Sequence, residues 1–419
     1  MAISPKQKQI MAFPFTKYDA LICDGAIRSG KTVFMMLSFV DDAMRRYDGQ
    51  RFGICGKTVD ATVKNIITPY LGLTYAQEKY NLQWRRTDKL LVVSDGEREN
   101  LFEVFGGKDE SSFMLIQGRT LAGVLVDEVA LQPRSFVEQA MARCSVDGSK
   151  LWFNCNPDSP EHWFYKEWIC KPEMRNALHL HFLLEDNPSL SQKIIERYKK
   201  LYDGVFYRRY ILGEWCKAEG LVYSNFDKAR HVIDIDQLPE KTLKAGRFYI
   251  SIDYGTLNPF SAGLWCLYEG VAYRVREWYH NGRAGVQKTD SEYYEAIEKL
   301  AGDFPIERII IDPSAASMIA EIHRRGKYIV SKARNDVLPG ISFTSALLQA
   351  GRMKICTGCE DAIREFGLYA WDEKGETDKV IKENDHAMDD IRYFAYTILR
   401  REFYTEMEDY RHVHKEVAP

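Results

Sequence analysis

A short apolar run at residues 20–23 leads into a glycine-rich loop, Gly25-Ala26-Ile27-Arg28-Ser29-Gly30-Lys31-Thr32, and a strongly apolar helical stretch at 31–47 follows at once. No other feature constrains the fold as tightly, because such a loop works only between the end of a strand and the start of a helix. Its glycines let backbone N–H groups curl around phosphate oxygens, and the helix N-terminus adds a favourable dipole. Gly25, Arg28, Ser29 and Gly30 shape the loop. Lys31 is placed to reach the β- and γ-phosphates of ATP, and Thr32 to hold Mg²⁺ through its hydroxyl.

An acidic pair, Asp127-Glu128, follows the apolar run Val124-Leu125-Val126. Beside a phosphate loop, an acid at the carboxyl end of a strand suits the Mg²⁺ shell, and a second acid can polarise the attacking water. Asp127 is therefore assigned to magnesium and Glu128 to the general base. Three features fit the same site less specifically. Asn156, in Asn154-Cys155-Asn156-Pro157, is either a sensor of the terminal phosphate or a turn starter. Arg28 either stabilises transition-state charge or makes a structural salt bridge. Gln7 is a candidate for reading the adenine edge.

Around this loop the chain alternates. Strand patterns at 52–55, 124–126 and 151–154 are interleaved with helical patterns at 59–71 and 133–144, and Asp95-Gly96 marks a hairpin between 90–94 and 101–105. Alternation of this kind predicts an α/β domain with a parallel sheet covered by helices. Two further helices are expected at 190–202 and 205–215. The second half opens with a strand at 248–253 and an aromatic meander through Trp278. A helix at 292–300, a strand at 309–312 and helices at 317–325, 341–350 and 359–370 follow, with a long terminal helix at 386–403. Three strands, then alternating helix and strand, then a terminal helix is the order of an RNase H-like α/β domain. The expected division is 1–219 for the nucleotide-binding domain, 220–244 for a linker, 245–403 for the second domain and 404–419 for a charged, mobile tail.

The second domain carries its own acids. Asp253 ends the first strand and Asp312 ends a later one, so adjacent strands would bring both carboxylates side by side. Two close like charges are costly unless a cation neutralises them. A divalent-metal site is the economical interpretation, with two ions steadying both oxygens of a phosphodiester displacement. A third carboxylate is expected from the terminal helix, where Asp385, Asp389 and Asp390 are available and His386 shares a face with Asp389. The helical wheel does not separate Asp389 from Asp390.

Bulk properties exclude more than they assign. At 419 residues the chain is long enough for about two domains. No run reaches the roughly 18–20 apolar residues of a membrane span, and residues 1–9 lack the apolar core of a signal peptide, so a cytosolic protein is expected. Nine scattered cysteines argue against a disulfide framework, and the lone pair Cys356 and Cys359 lacks the partners of a structural zinc site. The net charge of −3 does not advertise nucleic-acid binding, which leaves only local basic clusters such as Arg45-Arg46 and Arg208-Arg209.

Taken together, these motifs resemble the large subunit of tailed-bacteriophage terminases over nearly the whole chain. The resemblance rests on Gly25 to Thr32, on Gln117-Gly118 with Thr120 leading to Asp127-Glu128, on Asn156-Pro157, and on Gly213-Glu214-Trp215. In the second half it rests on Asp253-Tyr254-Gly255 with Asn258-Pro259, on Asp312-Pro313-Ser314, and on Asn384, His386 and Asp389 with Arg392-Tyr393. The resemblance implies that Asp389 is the third metal-binding acid and that His386 supports the metal or the substrate. Arg28 stands one place later than the arginine that family members often carry. The implied function is ATP-driven translocation of viral double-stranded DNA into the procapsid, with an endonuclease using two Mg²⁺ or Mn²⁺ ions to cut concatemers at the start and end of packaging. The implied partners are a small terminase subunit, the portal protein and further copies of the chain in a ring on the portal, with a monomer as the unassembled form. The implied location is the host cytoplasm rather than the mature virion. A helicase-like ATPase–nuclease would carry a second motor domain, which the sequence lacks. A docking component without turnover would leave its clustered aspartates as an uncompensated cost.

Overall fold

The computed structural model describes residues 3–255, 258–281, 287–373, 378–400 and 402. The charged tail at 404–419, and residues 401 and 403 of the expected terminal helix, lie outside the described residues. The chain divides into two compact units. The first comprises the residues up to Lys199 together with Val205–Lys217, and the second comprises Lys200–Gly204 and the chain from Ala218 onward.

The first unit is built on an eight-stranded sheet. Its strands are β1 (Ala20–Gly25), β2 (Arg51–Gly56), β3 (Asn81–Arg85), β4 (Leu90–Ser94), β5 (Glu99–Gly106), β6 (Gly123–Val126), β7 (Lys150–Asn154) and β8 (Ala177–Phe182). They lie in the order β3-β4-β5-β2-β6-β7-β1-β8. β4 pairs antiparallel with both β3 and β5, and the remaining pairs are parallel. Every residue of β1 and β6 is buried, as expected for central strands covered on both faces, whereas the edge strand β3 alternates. The Lys31–Arg46 helix lays Met35, Phe39, Val40 and Met44 on the sheet, where Phe39 packs edge-on against Phe52, Phe102 and Trp152. β8 escapes the sequence patterns because its two histidines break an otherwise apolar strand.

The second unit has a seven-stranded mixed sheet, order β14-β13-β10-β11-β12-β15-β9. These strands are β9 (Val232–Ile233), β10 (Arg247–Asp253), β11 (Phe260–Tyr268), β12 (Val271–His280), β13 (Ile306–Ile311), β14 (Val330–Lys332) and β15 (Met353–Cys356). β10, β11 and β12 form the antiparallel meander, and β13 adds to β10 in parallel. The 220–244 stretch contributes β9 to the edge of this sheet beside β15, and the Val222 N–H donates to Tyr369 O at 2.9 Å. The terminal helix runs from His386 to Phe394 and continues as a wider π turn over Ala395–Leu399. Two helices are shorter than their patterns suggest. The first stops at Tyr210 ahead of Gly213 in a left-handed turn, and the second stops at Phe366 before Gly367.

Candidate active sites

The phosphate loop sits where β1 ends, next to β7 on one side and β8 on the other. Its two glycines are required by geometry. Gly25 has φ +118°, and a Cβ there would stand 2.0 Å from Phe182 O; Gly30 has φ +85°, and a Cβ would meet the Gln7 side-chain nitrogen at 2.6 Å. Gly30 caps the Lys31–Arg46 helix, whose first-turn N–H groups face the loop. Gln7 is buried beside Gly30, with its Oε1 accepting from the Ser4 N–H at 2.9 Å.

Within this loop, the Lys31 ammonium donates to Gly25 O at 3.1 Å, Ala26 O at 2.7 Å and Ser29 Oγ at 3.2 Å, and reaches Asn156 Oδ1 at 3.4 Å. Burial lowers its pKa from the usual lysine value. A buried ammonium on neutral carbonyls is a cation still short of its anion. Parallel pairing of β6 with β7 places Asp127 beside Asn154. Asn154 Nδ2 donates to Thr32 Oγ1 at 2.8 Å and to the Asp127 carboxylate, while Thr32 Oγ1 stands 3.5 Å from Asp127 Oδ1. Burial raises the Asp127 pKa, against the hydrogen bond from Asn154. Two hard oxygen donors, one a buried carboxylate, fit a small divalent cation in chemistry.

Glu128 follows in a left-handed turn with φ +53°. Burial, and then the charge of Asp127, push its carboxyl up to about 7. Arg28 is exposed at φ +55°, and among the described residues its guanidinium makes no ion pair. Sequence patterns missed a further group directly below the loop. The buried Asp24 accepts from Trp215 Nε1 at 2.8 Å and binds His179 Nε2 at 2.8 Å and His181 Nδ1 at 3.0 Å. Burial alone would raise its pKa, yet the two histidines hold it below the usual carboxylate range. The histidines lie on β8 and Trp215 near the end of the first unit, more than 150 residues from Asp24 in sequence, so only folding brings them together.

The second constellation forms at the carboxyl ends of β10 and β13. Ile252 pairs with Ile311, so Asp253 and Asp312 follow at adjacent strand ends. Asp253 Oδ2 binds His386 Nδ1 at 2.7 Å, and Tyr393 OH approaches Asp253 Oδ1 at 3.5 Å. Burial, with the charges of Asp389 and Asp390 added, pushes Asp253 up to about 6 despite the His386 hydrogen bond. Burial would lower His386, but Asp253 outweighs it and its pKa is raised. Asp312 accepts from Ser314 N at 2.8 Å and Asn335 Nδ2 at 3.0 Å, and such bonds outweigh burial to lower its pKa.

The terminal helix separates its neighbouring acids. Asp389 binds Arg392 Nη2 at 2.8 Å and Lys382 Nζ at 3.4 Å. Asp390 turns the other way into the core, where Ser251 Oγ donates at 2.7 Å, Arg274 Nη2 donates at 3.0 Å, and Ser261 adds another bond. Asp390 is thus a buried counter-charge of Arg274, beside Glu277 at 3.5 Å, whereas the charge of Asp389 acts on Asp253. Among the described residues, no three His, Cys, Asp or Glu side chains are gathered closely enough to share a metal as they stand. The donor chemistry nevertheless fits a hard divalent cation, because the half-buried Asp253 carboxylate is raised in pKa even with His386 bound to it. A metal here would exchange with His386, Lys382 and Arg392 as partners of these carboxylates.

Comparisons with known proteins place the chain in a family. The family model for the N-terminal part of the terminase large subunit, T4-like-virus type, matches residues 22–230. The solved large terminase of a thermophilic bacteriophage is 46% identical and covers 95% of this chain and 100% of its own, with a TM-score of 0.90. The same relative in complex with ATP-γ-S is 45% identical over 95% of this chain and 100% of its own, with a TM-score of 0.88. The large terminase subunit of Escherichia phage T5 is 24% identical over 341 residues, spanning 77% of this chain and 75% of that one.

Proposed function

The chain belongs to the terminase large-subunit family of phage DNA packaging, and from that premise we propose that its first unit hydrolyses ATP to move viral double-stranded DNA and that its second unit cuts that DNA. The observation that carries this reading is the pairing of two sites in one chain: a buried, anion-seeking Lys31 in a phosphate loop, and a carboxylate group around Asp253. The thermophilic-phage relative has been solved with ADP and with ATP-γ-S, which supports nucleotide binding by this chain.

In the first site, Lys31 leaves Gly25 and Ala26 O for the β- and γ-phosphates, and the N–H groups at the start of the Lys31–Arg46 helix complete the cradle. Thr32 and Asp127 hold Mg²⁺. Glu128, with its pKa near neutrality, takes the proton of the attacking water. Asn156, beside Lys31, reports loss of the γ-phosphate; Arg28 and Gln7 border the nucleotide. In the second site Asp253, Asp312 and Asp389 hold two Mg²⁺ or Mn²⁺ ions, and His386 orients Asp253. Bound divalent cations supply an activated water and offset the charge that develops on phosphate oxygens. The functional division is 1–219 for the ATPase, 220–244 for the connection and 245–403 for the nuclease. Partners are a small terminase subunit and the portal, on which copies of the chain form a ring in the host cytoplasm.

Plasmid cleavage by the purified protein with Mg²⁺ or Mn²⁺ tests this, beside Asp253→Ala and Lys31→Ala variants. Wild type and Lys31→Ala are expected to cut, and Asp253→Ala to leave the plasmid intact. Cleavage by Asp253→Ala at the wild-type rate would remove the nuclease assignment. ATP turnover should show the reverse pattern.

A further inference from the structure

Three consecutive residues of the phosphate loop are held by chain segments that carry none of the nucleotide motifs. The Ala26 N–H donates to Phe182 O at 2.8 Å and the Ile27 N–H to Tyr210 O at 2.9 Å. Asn187 Nδ2 donates to Arg28 O at 2.7 Å. The first two bonds commit the N–H groups of Ala26 and Ile27 within the protein, so phosphate must be met by donors further along the loop. Arg28 is where the loop turns towards them. Its φ of +55° is left-handed, a conformation that is unfavourable for a non-glycine residue and persists only when its surroundings hold it.

Asn187 lies against this turn. Its Cγ is 3.7 Å from the position a Cβ on Gly30 would take. The orientation of the amide is determined by its other end, because Asn187 Oδ1 accepts from the Ser189 N–H at 3.1 Å and only the oxygen can accept. The –NH₂ group must therefore face the Arg28 carbonyl. The loop that carries it is anchored in turn. Asp186 Oδ2 accepts from the Leu183 N–H at 2.8 Å and from Lys6 Nζ at 2.6 Å, and Leu184 is fully buried.

We propose that Asn187 is a positioning residue of the nucleotide site, holding the left-handed Arg28 turn so that the loop is pre-organised for the β- and γ-phosphates. The proposal rests on the ATPase reading of the first unit and adds a residue to it. Asn187 acts through Arg28 and does not itself touch phosphate.

In Asn187→Ala one hydrogen bond to the loop is lost. The Kd for Mg·ADP and the KM for ATP should rise several-fold, to about tenfold. Turnover at saturating ATP should stay within about twofold, since Lys31, Asp127 and Glu128 are untouched. Asn187→Asp keeps an oxygen for Ser189 but sets an acceptor against the Arg28 carbonyl and a negative charge near the phosphates, so ADP affinity should fall further. The experiment is calorimetric titration of Mg·ADP into wild type, Asn187→Ala, Asn187→Asp and Lys31→Ala, with ATP turnover and the melting of each nucleotide-free protein. If wild type binds, Lys31→Ala does not, and both Asn187 variants match wild type within twofold, the proposal is overturned. It is equally overturned if weaker binding comes with a matching fall in nucleotide-free melting temperature, which would mark a purely structural role. If wild type itself binds no nucleotide, the ATPase reading has failed instead.

Discussion

Glu128 occupies the first position after Asp127 at the end of β6, and its burial decides its chemistry. A carboxyl pushed up to about 7 is close to the pKa a general base needs at neutral pH. Glu128→Gln should keep Mg·ATP binding and lose hydrolysis by about 10²-fold or more, whereas Lys31→Ala should lose both; parallel binding and turnover assays separate the two. His162 shows burial acting on stability instead. Its ring lies beside Trp163 and Trp215, its Nδ1 accepts from the Phe164 N–H at 3.2 Å, and burial pushes its pKa down to about 4. The unfolded chain, with histidine near 6.5, binds the proton more readily, so stability falls as pH drops from about 6.5 towards 4. Between pH 7.5 and pH 5 this group should cost roughly 1–2 kcal/mol. Melting curves of wild type and His162→Gln across that range should converge in acid, and parallel curves would refute the assignment.

At the scale of an element, the terminal helix does two jobs with adjacent residues. Successive side chains on a helix point about 100° apart, so Asp389 and Asp390 face different surroundings. Asp390→Ala takes the closer of two carboxylates from the buried Arg274 and leaves it Glu277 at 3.5 Å, which should cost the second unit up to roughly 3–5 kcal/mol. Asp389→Ala removes a carboxylate whose partners, Lys382 and Arg392, lie on its own side of the helix, and it should abolish cutting with a smaller loss of stability. Urea unfolding and plasmid cleavage on the two variants would give opposite rankings. Equal destabilisation by both would contradict the separation of roles.

At the scale of the whole molecule, each unit has its own apolar core. One gathers Phe39, Phe52, Phe102 and Trp152, the other Phe248, Phe260, Tyr293 and Ile309. Separate cores predict separable unfolding. In calorimetry, Mg·ADP should raise the transition of the first unit by mass action, and Asp390→Ala should lower only the transition of the second. A single transition that both perturbations move together would show the units to be energetically coupled.

The sequence alone was enough to expect both α/β sheets and two separate groups of residues suited to phosphate chemistry. Lys31, Thr32 and Asp127 were legible because their motifs are local, and Asp253 and Asp312 because strand ends are readable from apolar runs. The short strands β3, β9, β14 and β15, at or next to the sheet edges, were not legible, since a few residues of mixed character gain their identity from the neighbour they pair with. Nor was the choice between Asp389 and Asp390 legible in the residues themselves. The family resemblance implied Asp389, and the packing of the helix against Ser251, Ser261 and Arg274 shows that Asp390 is taken up by the core. Likewise, Asn187 on Arg28 and the histidines on Asp24 are contacts across more than a hundred residues. Hydrogen-bond partners at that separation leave no periodicity in the chain, so tertiary structure alone decides them.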